Sequence, residues 1–571
     1  MHNFKYFALF VRFKISQEKI MTENTNSFFQ TIKSLNRNFW LASNMELFER
    51  WAWYGMFNIL GLYLVGSTDD NGLGFNHIEK GSIIGDVTAI LYLLPIFFGV
   101  IADRIGYKLS LIISYVIMIL GYYLMGEVNT YWSVYMIFLF LAIGAAFFKP
   151  VASAIVARNT DESTGTIGFG IFYMMVNIGG FVGPFMSSTL RNTYGYKIIF
   201  IQAAIVITIN LLIVLFLFKE PKREKPKDPI GKAIGDSLKG IFNALKDKRL
   251  SILLLLMVGF WVMFNQLFYT LPNFIDDWVN SSAISNWIIE NVPFLKQSFV
   301  NENNGQINPE QFTNLDALMI ILFQIPISYF VTKMRHINAV IRGAIVATIG
   351  VGLTFYSGNV WFTIIGTAIF AIGEMMSSPT VSSFIALITP KGKEGLYQGT
   401  YFLPQAASNF LSGIIAGSLY QSWSDKLSLL KKEMAGRNIE MPEVVTKEQF
   451  IEEGSKTLNM SISAFEKQFN LKAETIDWAV VKQSFTDFAT SKNINISQVH
   501  FPFSKNEYFT LAEQKLGMSH WDMTNMLWET YNPNKIWFVI VAIGIFSIVS
   551  LTIYDRLIIR PLEKKQRTIK N

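Results

Sequence analysis

Residues 201–218, IQAAIVITINLLIVLFLF, run without one charged side chain. A bilayer-spanning helix needs about 20 mostly apolar residues, whereas a soluble helix needs a polar face. Comparable stretches lie at 39–66, 82–102, 109–128, 131–157, 167–190 and 196–218, and again at 250–273, 314–333, 337–357, 360–388, 396–420 and 535–556. These make twelve spans, six before the polar stretch 219–249 and six after it, and predict an all-α membrane protein. Composition agrees: 51% of residues are hydrophobic and 16% charged, against ~25% charged in soluble domains. The absence of cysteine excludes a disulfide scaffold, a thiolate metal site and a Cys nucleophile. A net charge of +7 without a basic block interleaved with aromatics speaks against nucleic acid as a partner and leaves the lipid bilayer.

Basic residues set the orientation. Segment 219–249 holds 10 Lys/Arg, whereas 274–312 holds only Lys296 beside five acids. The first is therefore expected in the cytoplasm and the second outside, which puts both termini inside a cell (inner or plasma) membrane. Lys33 and Arg37 before the first span agree, as do Arg556, Arg560, Lys564, Lys565 and Arg567 after the last. The expected organisation is a cytoplasmic tail (1–38), a first set of six spans (39–218), a basic linker (219–249), spans 7–11 (250–420), an extracytoplasmic insertion (421–534), span 12 (535–556) and a cytoplasmic tail (557–571). The start MHNFKYFALFVRFKISQEKI is too charged for a cleaved signal. Met21 opens a more ordinary polar N-terminus, as expected if the first twenty residues are a start-site artefact. The insertion is long enough to fold as a small helical domain and to dock an extracytoplasmic protein partner.

Ionisable side chains at bilayer depth are costly and mark function. Span 1 carries Glu46, Glu49 and Arg50, whose offsets of three and four share one helical face. Span 4 carries Lys149 and span 10 Glu374, while Asp86 and Asp316 lie near the ends of spans 2 and 8. Such groups need water or one another, so a polar cavity lined by several helices is expected. A carboxylate there, balanced between desolvation and a neighbouring cation, can load and release a proton. Gly55, Gly61, Pro150, Pro184 and Pro379 punctuate the same helices and suit bending of half-helices. There is no Walker motif and no metal-ligand spacing among the five His residues, so no catalytic residue, metal or cofactor is expected beyond the proton.

These residues carry a resemblance. Gly99-Val-Ile-Ala-Asp103-Arg104-Ile-Gly106-Tyr-Lys108, between spans 2 and 3, resembles the GxxxDRxGxK gating loop of the major facilitator superfamily. Glu46-Leu-Phe-Glu49-Arg50-Trp51-Ala-Trp53-Tyr54-Gly55 is similar to the ExxERFxYYG signature of the proton-dependent oligopeptide transporters. Phe148-Lys149-Pro150, Phe172-Tyr173-Met-Met-Val-Asn177-Ile-Gly179 and Gly373-Glu374 with Ser378-Pro379 resemble that family's segments in spans 4, 5 and 10. The resemblance implies twelve helices in two six-helix bundles, substrate bound between them, and proton-driven uptake of di- and tripeptides without enzymatic chemistry. Glu46, Glu49 and Arg50 would then couple the proton, Lys149 would hold the peptide carboxylate, Asn177 would hydrogen-bond the peptide, Glu374 would hold its amino terminus, and Tyr54 would belong to the substrate site.

Two departures bear on substrate. Phe57 stands where the family commonly has an arginine for the substrate carboxylate, and Asn265 precedes Gln266 where it commonly has a glutamate that pairs with Lys149. Asp316 or Asp86 is the candidate compensating acid. Two alternatives follow: a proton-coupled carrier of a non-peptide solute, or a transporter core that serves as a docking partner through 421–534.

Overall fold

The computed structural model describes residues 33–160, 165–220, 229–388, 399–472, 476–496 and 498–563. Among these the chain is helical, with three isolated backbone bridges. The first half contains α1 (Arg37–Val65), α2 (His77–Leu93), α3 (Pro95–Ile105), α4 (Tyr107–Met125), α5 (Tyr131–Arg158), α6 (Gly165–Tyr194) and α7 (Lys197–Leu212). A linker helix, α8 (Ile230–Ala244), leads into the second half. That half contains α9 (Lys248–Tyr269), α10 (Leu271–Trp278), α11 (Pro309–Thr332), α12 (His336–Thr354), α13 (Val360–Ile388), α14 (Phe402–Ile414) and α15 (Ile536–Tyr554).

Among the described residues nine helices are long and apolar enough to cross a membrane, or ten if α2 and α3, bent by 45°, form one span. The expected twelve differ from these by α1 and α14, for physical reasons. α1 carries Glu46, Glu49 and Arg50 in its middle. α14 gives way at Ile415 to a wider turn and then to the short helix Tyr420–Trp423. Pro150, Pro184 and Pro379, expected as breaks, lie inside continuous helices, as membrane helices permit when neighbours satisfy the freed carbonyls. The bend falls at Leu94–Pro95 instead.

Each half has its own apolar core. Phe138, Tyr115 and Met118 sit in the first, and Phe260, Phe274 and Leu267 in the second. Large apolar side chains also face outward, with Ile325 84% and Phe216 78% exposed, a pattern that suits lipid rather than water. The halves meet closely where α2 crosses α14, since an added Cβ on Gly81 would collide with the Gly413 carbonyl. Small residues let such helix backbones touch.

The Gly99–Lys108 stretch, expected as a loop, is mostly helix. Gly99, Asp103 and Arg104 lie within α3, and Gly106 alone makes the turn, with φ +107 that disfavours a side chain. Glu220 accepts from the Tyr107 and Lys108 amides at 3.0 and 2.6 Å and ties this turn to the end of the first half. The basic linker is more than a connector, because α8 buries Ile241 and Ala244. Residues 1–32 (with Met21), 221–228, and Lys564, Lys565 and Arg567 lie outside the described residues.

Residues 421–534 divide into two parts. Phe450, Phe465, Phe469 and Phe485 form a separate aromatic core. The helices Lys426–Gly436, Lys505–Leu516 and His520–Tyr531 instead extend the second-half core through Leu430, Ala512 and Leu527.

Candidate functional site

A cavity of about 360 Å³ lies between the halves. α1 contributes Arg50, Tyr54 and Phe57, α5 contributes Lys149, and α6 contributes Tyr173 and Asn177. Facing them are Asn265 on α9, Asp316 on α11 and Glu374 on α13. The structure thus brings together most of the residues singled out in the sequence, from helices far apart in the chain.

Glu46 and Glu49 do not line the cavity. They stand behind Arg50, which does. Arg50 Nε donates to Glu49 Oε2 at 2.5 Å and lies 3.4 Å from Glu46 Oε1. All three side chains are buried, Glu49 completely. Removing one member of such a cluster would leave an uncompensated buried charge. Lys149 is held over the Tyr92 ring at 5.2 Å, and Asn177 donates to its own helix at Tyr173 O, 2.9 Å away.

The two departures form contacts of a different kind. Phe57 stacks on Trp53 at 5.5 Å and meets Tyr269 edge-on at 5.8 Å, an aromatic bridge between halves. Asn265 donates to Asn409 Oδ1 at 3.2 Å, which also accepts from the Tyr269 hydroxyl at 2.6 Å. Thr88 Oγ1 on α2 completes this chain, 2.6 Å from the same hydroxyl. A neutral hydrogen-bonded network therefore surrounds Asn265, the position whose departure from the resembled family's glutamate removes a salt bridge. Asp86 lies outside the cavity and accepts from Ser82 at 2.8 Å. Asp316 lines the cavity, but it neighbours Glu374 rather than Lys149.

Sequence reasoning missed a second charged region, at the end of the halves that carries the insertion. There Arg191 on α6 pairs with fully buried Glu310 on α11 at 2.9 Å and donates to Asn308 at 2.7 Å. Lys80 on α2, also fully buried, donates to Asn273 at 2.9 Å. His77 lies 3.4 Å from Asp425, and Lys505 of the insertion lies 3.8 Å from Asp277, which accepts from Tyr420 at 2.8 Å. His77, Asp277 and Asp425 present donor atoms within 4.8 Å of one another, with Lys505 supplying countercharge. Burial alone would raise the Asp425 carboxyl, but contacts from His77, Lys505 and Ser428 hold it below the usual carboxylate range. These residues sit at span ends, where sequence cannot separate a buried ion pair from a snorkelling side chain.

The insertion reaches the first half directly. Ser504 donates to Asp69, Asn506 to Asp70 at 2.9 Å, and Asn129 to Glu448 at 2.7 Å. Among the described residues, ion pairs and hydrogen bonds between the halves gather at this end.

Two helical halves with separate cores, an apolar exterior and a charged cavity between them define a multi-pass membrane transporter. Residues 47–289 match the family model of the Major Facilitator Superfamily. The chain is 23% identical to dipeptide and tripeptide permease B of Aliivibrio fischeri (strain MJ11), over 65% of this chain and 84% of the relative. It is 21% identical to dipeptide and tripeptide permease A of Escherichia coli (strain K12), over 70% and 87%. Its fold resembles that of a POT family transporter solved in complex with 5-aminolevulinic acid, with a TM-score of 0.55 and 21% identity over 68% of this chain and 93% of that one. The chain is thus similar to the major facilitator superfamily over residues 47–289 and, at low identity, to dipeptide and tripeptide permeases. Members of this family are transporters, not enzymes.

Proposed function

We propose that this protein is a proton-coupled symporter that imports di- or tripeptides, or peptide-like solutes, by alternating access. The observation that carries the reading is the cavity's division of charge. Lys149 stands on the first half, Asp316 and Glu374 on the second, and Arg50, backed by two glutamates outside the cavity, borders the same space. A zwitterionic solute would bridge the halves, its carboxylate toward Lys149 and its ammonium toward the acids. Proton transfer at Glu46 and Glu49 would loosen Arg50 and couple the gradient to the rocking of the halves. The permease relatives favour peptides as the solute.

In this reading α1 and the α14 segment complete twelve spans, both termini are cytoplasmic, and the insertion faces outward in the plasma membrane. The bonds at the insertion end then correspond to an outer side that is closed. The insertion's polar contacts are spent on the transporter's own two halves, so a docking partner is not needed to explain it.

Uptake of dialanine into proteoliposomes under an imposed proton gradient tests the reading. Glu49→Gln should abolish gradient-driven accumulation while solute exchange persists; accumulation that is indifferent to this change would overturn the coupling role. A second reading, a solute other than a peptide, is favoured by the Phe57–Tyr269 contact where a carboxylate-binding cation was expected. Competition by N-blocked against C-amidated dipeptides separates the two.

A further inference from the structure

Asp316 on α11 and Glu374 on α13 line the same side of the cavity, with their carboxyl groups within hydrogen-bonding reach of each other. Asp316 is 4% exposed. One oxygen of each, Asp316 Oδ1 and Glu374 Oε2, has no hydrogen-bond partner. Among the described residues neither acid has a basic ion-pair partner; the cations of the cavity, Arg50 and Lys149, belong to the opposite half, the first engaged by two glutamates and the second over Tyr92.

Two adjacent carboxyl groups in a desolvated site cannot both ionise without countercharge, so an empty cavity keeps one proton between them. A single ammonium supplies one positive charge and leaves that proton in place. Two cationic groups held close together supply both charges and satisfy the free oxygens. Resting on the peptide-carrier reading above, we propose that the Asp316–Glu374 pair makes the site selective for solutes with two cationic groups at one end, such as peptides whose first residue is lysine or arginine. The α-ammonium and the side-chain cation occupy the two carboxylates, and the displaced proton leaves through the water of the cavity. The carboxyl-terminal residue would lie toward Lys149, whose positive charge repels a second cation, and the pair of acids is out of its reach.

Calorimetric binding of Lys-Ala, Ala-Lys and Ala-Ala to the purified full-length protein tests this. Lys-Ala should bind at least about tenfold more tightly than Ala-Ala, the margin of one added charge-assisted hydrogen bond, and Ala-Lys should not. Titration in two buffers of different ionisation enthalpy should report one proton released with Lys-Ala and none with Ala-Ala. Asp316→Asn should bring the Lys-Ala to Ala-Ala affinity ratio within about threefold, and Asp316→Glu should restore it. Equal affinities in the wild-type protein, or a preference that survives Asp316→Asn, would overturn the assignment and leave the peptide reading standing. If no dipeptide binds, the peptide reading itself falls. The pair is then judged on 1,5-diaminopentane, whose binding must be lost in Asp316→Asn for the assignment to survive.

Discussion

The Phe57 ring of the first half meets the Tyr269 ring of the second edge-on, 5.8 Å between centroids. The Tyr269 hydroxyl also joins the Thr88–Asn409–Asn265 network, so one side chain serves both an apolar and a polar link between the halves. Aromatic edge contacts are worth about 0.5–1.5 kcal/mol beyond area burial. Contacts of that size can hold a cavity wall yet still be broken in each transport cycle.

Placing a cation at this position should change what the cavity recognises. Phe57→Arg would face a substrate carboxylate across the cavity and forfeit the ring contact. Free-carboxylate dipeptides should then gain about tenfold over their C-amidated forms in competition assays, the margin of one charge-assisted pair. An unchanged ratio would show that the carboxylate does not approach this wall.

In the proposed cycle the buried Arg191–Glu310 pair seals the insertion end, and breaking such a pair by removing one partner costs about 3–5 kcal/mol. Glu310→Gln should therefore shift the population toward conformations open at the insertion end. The chain has no native cysteine, so Asn58→Cys in the cavity wall gives a background-free probe. An impermeant maleimide added from the insertion side should label it roughly tenfold or more faster in the Glu310→Gln background. Identical labelling rates would remove the seal from the gating scheme.

Lys426 lies in the insertion among Trp278, Phe509 and Trp521, with its ammonium 5.7–5.9 Å from their ring centroids. Burial pulls its pKa down to about 8, against the opposing pull of Asp277. The unfolded chain keeps the lysine protonated up to about 10.4, so between these values it binds more protons than the folded chain. This group's contribution to stability therefore rises as pH climbs from about 8 toward 10, by on the order of 3 kcal/mol at most. Lys426→Met should remove that rise. Thermal unfolding midpoints at pH 7.5 and 9.5 compare the two proteins, and a parallel response in both would refute the contribution.

The aromatic subdomain of the insertion should be dispensable for transport. Val445 and Phe503 exchange backbone hydrogen bonds of 3.1 and 3.0 Å, so its two ends lie side by side. Replacing 446–502 with a short Gly/Ser linker loses the Glu448–Asn129 bond, but keeps Asp425 against His77, Lys505 against Asp277 and Ser504 against Asp69. Uptake per inserted molecule should stay within about threefold of the full chain, an ordinary cost for a surface excision. Loss of uptake with normal membrane insertion would place the subdomain in the transport machinery.

The sequence by itself determined that this chain lives in lipid, since uncharged runs such as 201–218 have no other stable environment. It also singled out charges in the cavity wall, Arg50, Lys149 and Glu374, and Glu49 behind it, because such groups are costly at bilayer depth. What it could not determine is which of these groups meet. Hydropathy measures the average environment of a segment, while contacts between helices depend on their rotation and crossing. Only the tertiary structure decided that Glu46 and Glu49 stand behind Arg50, that Asp316 neighbours Glu374 rather than Lys149, and that Asp86 turns away. The same holds for Arg191 with Glu310 and Lys505 with Asp277. Each partner looks like an ordinary charge at the end of a helix until folding closes the halves over it and removes the water.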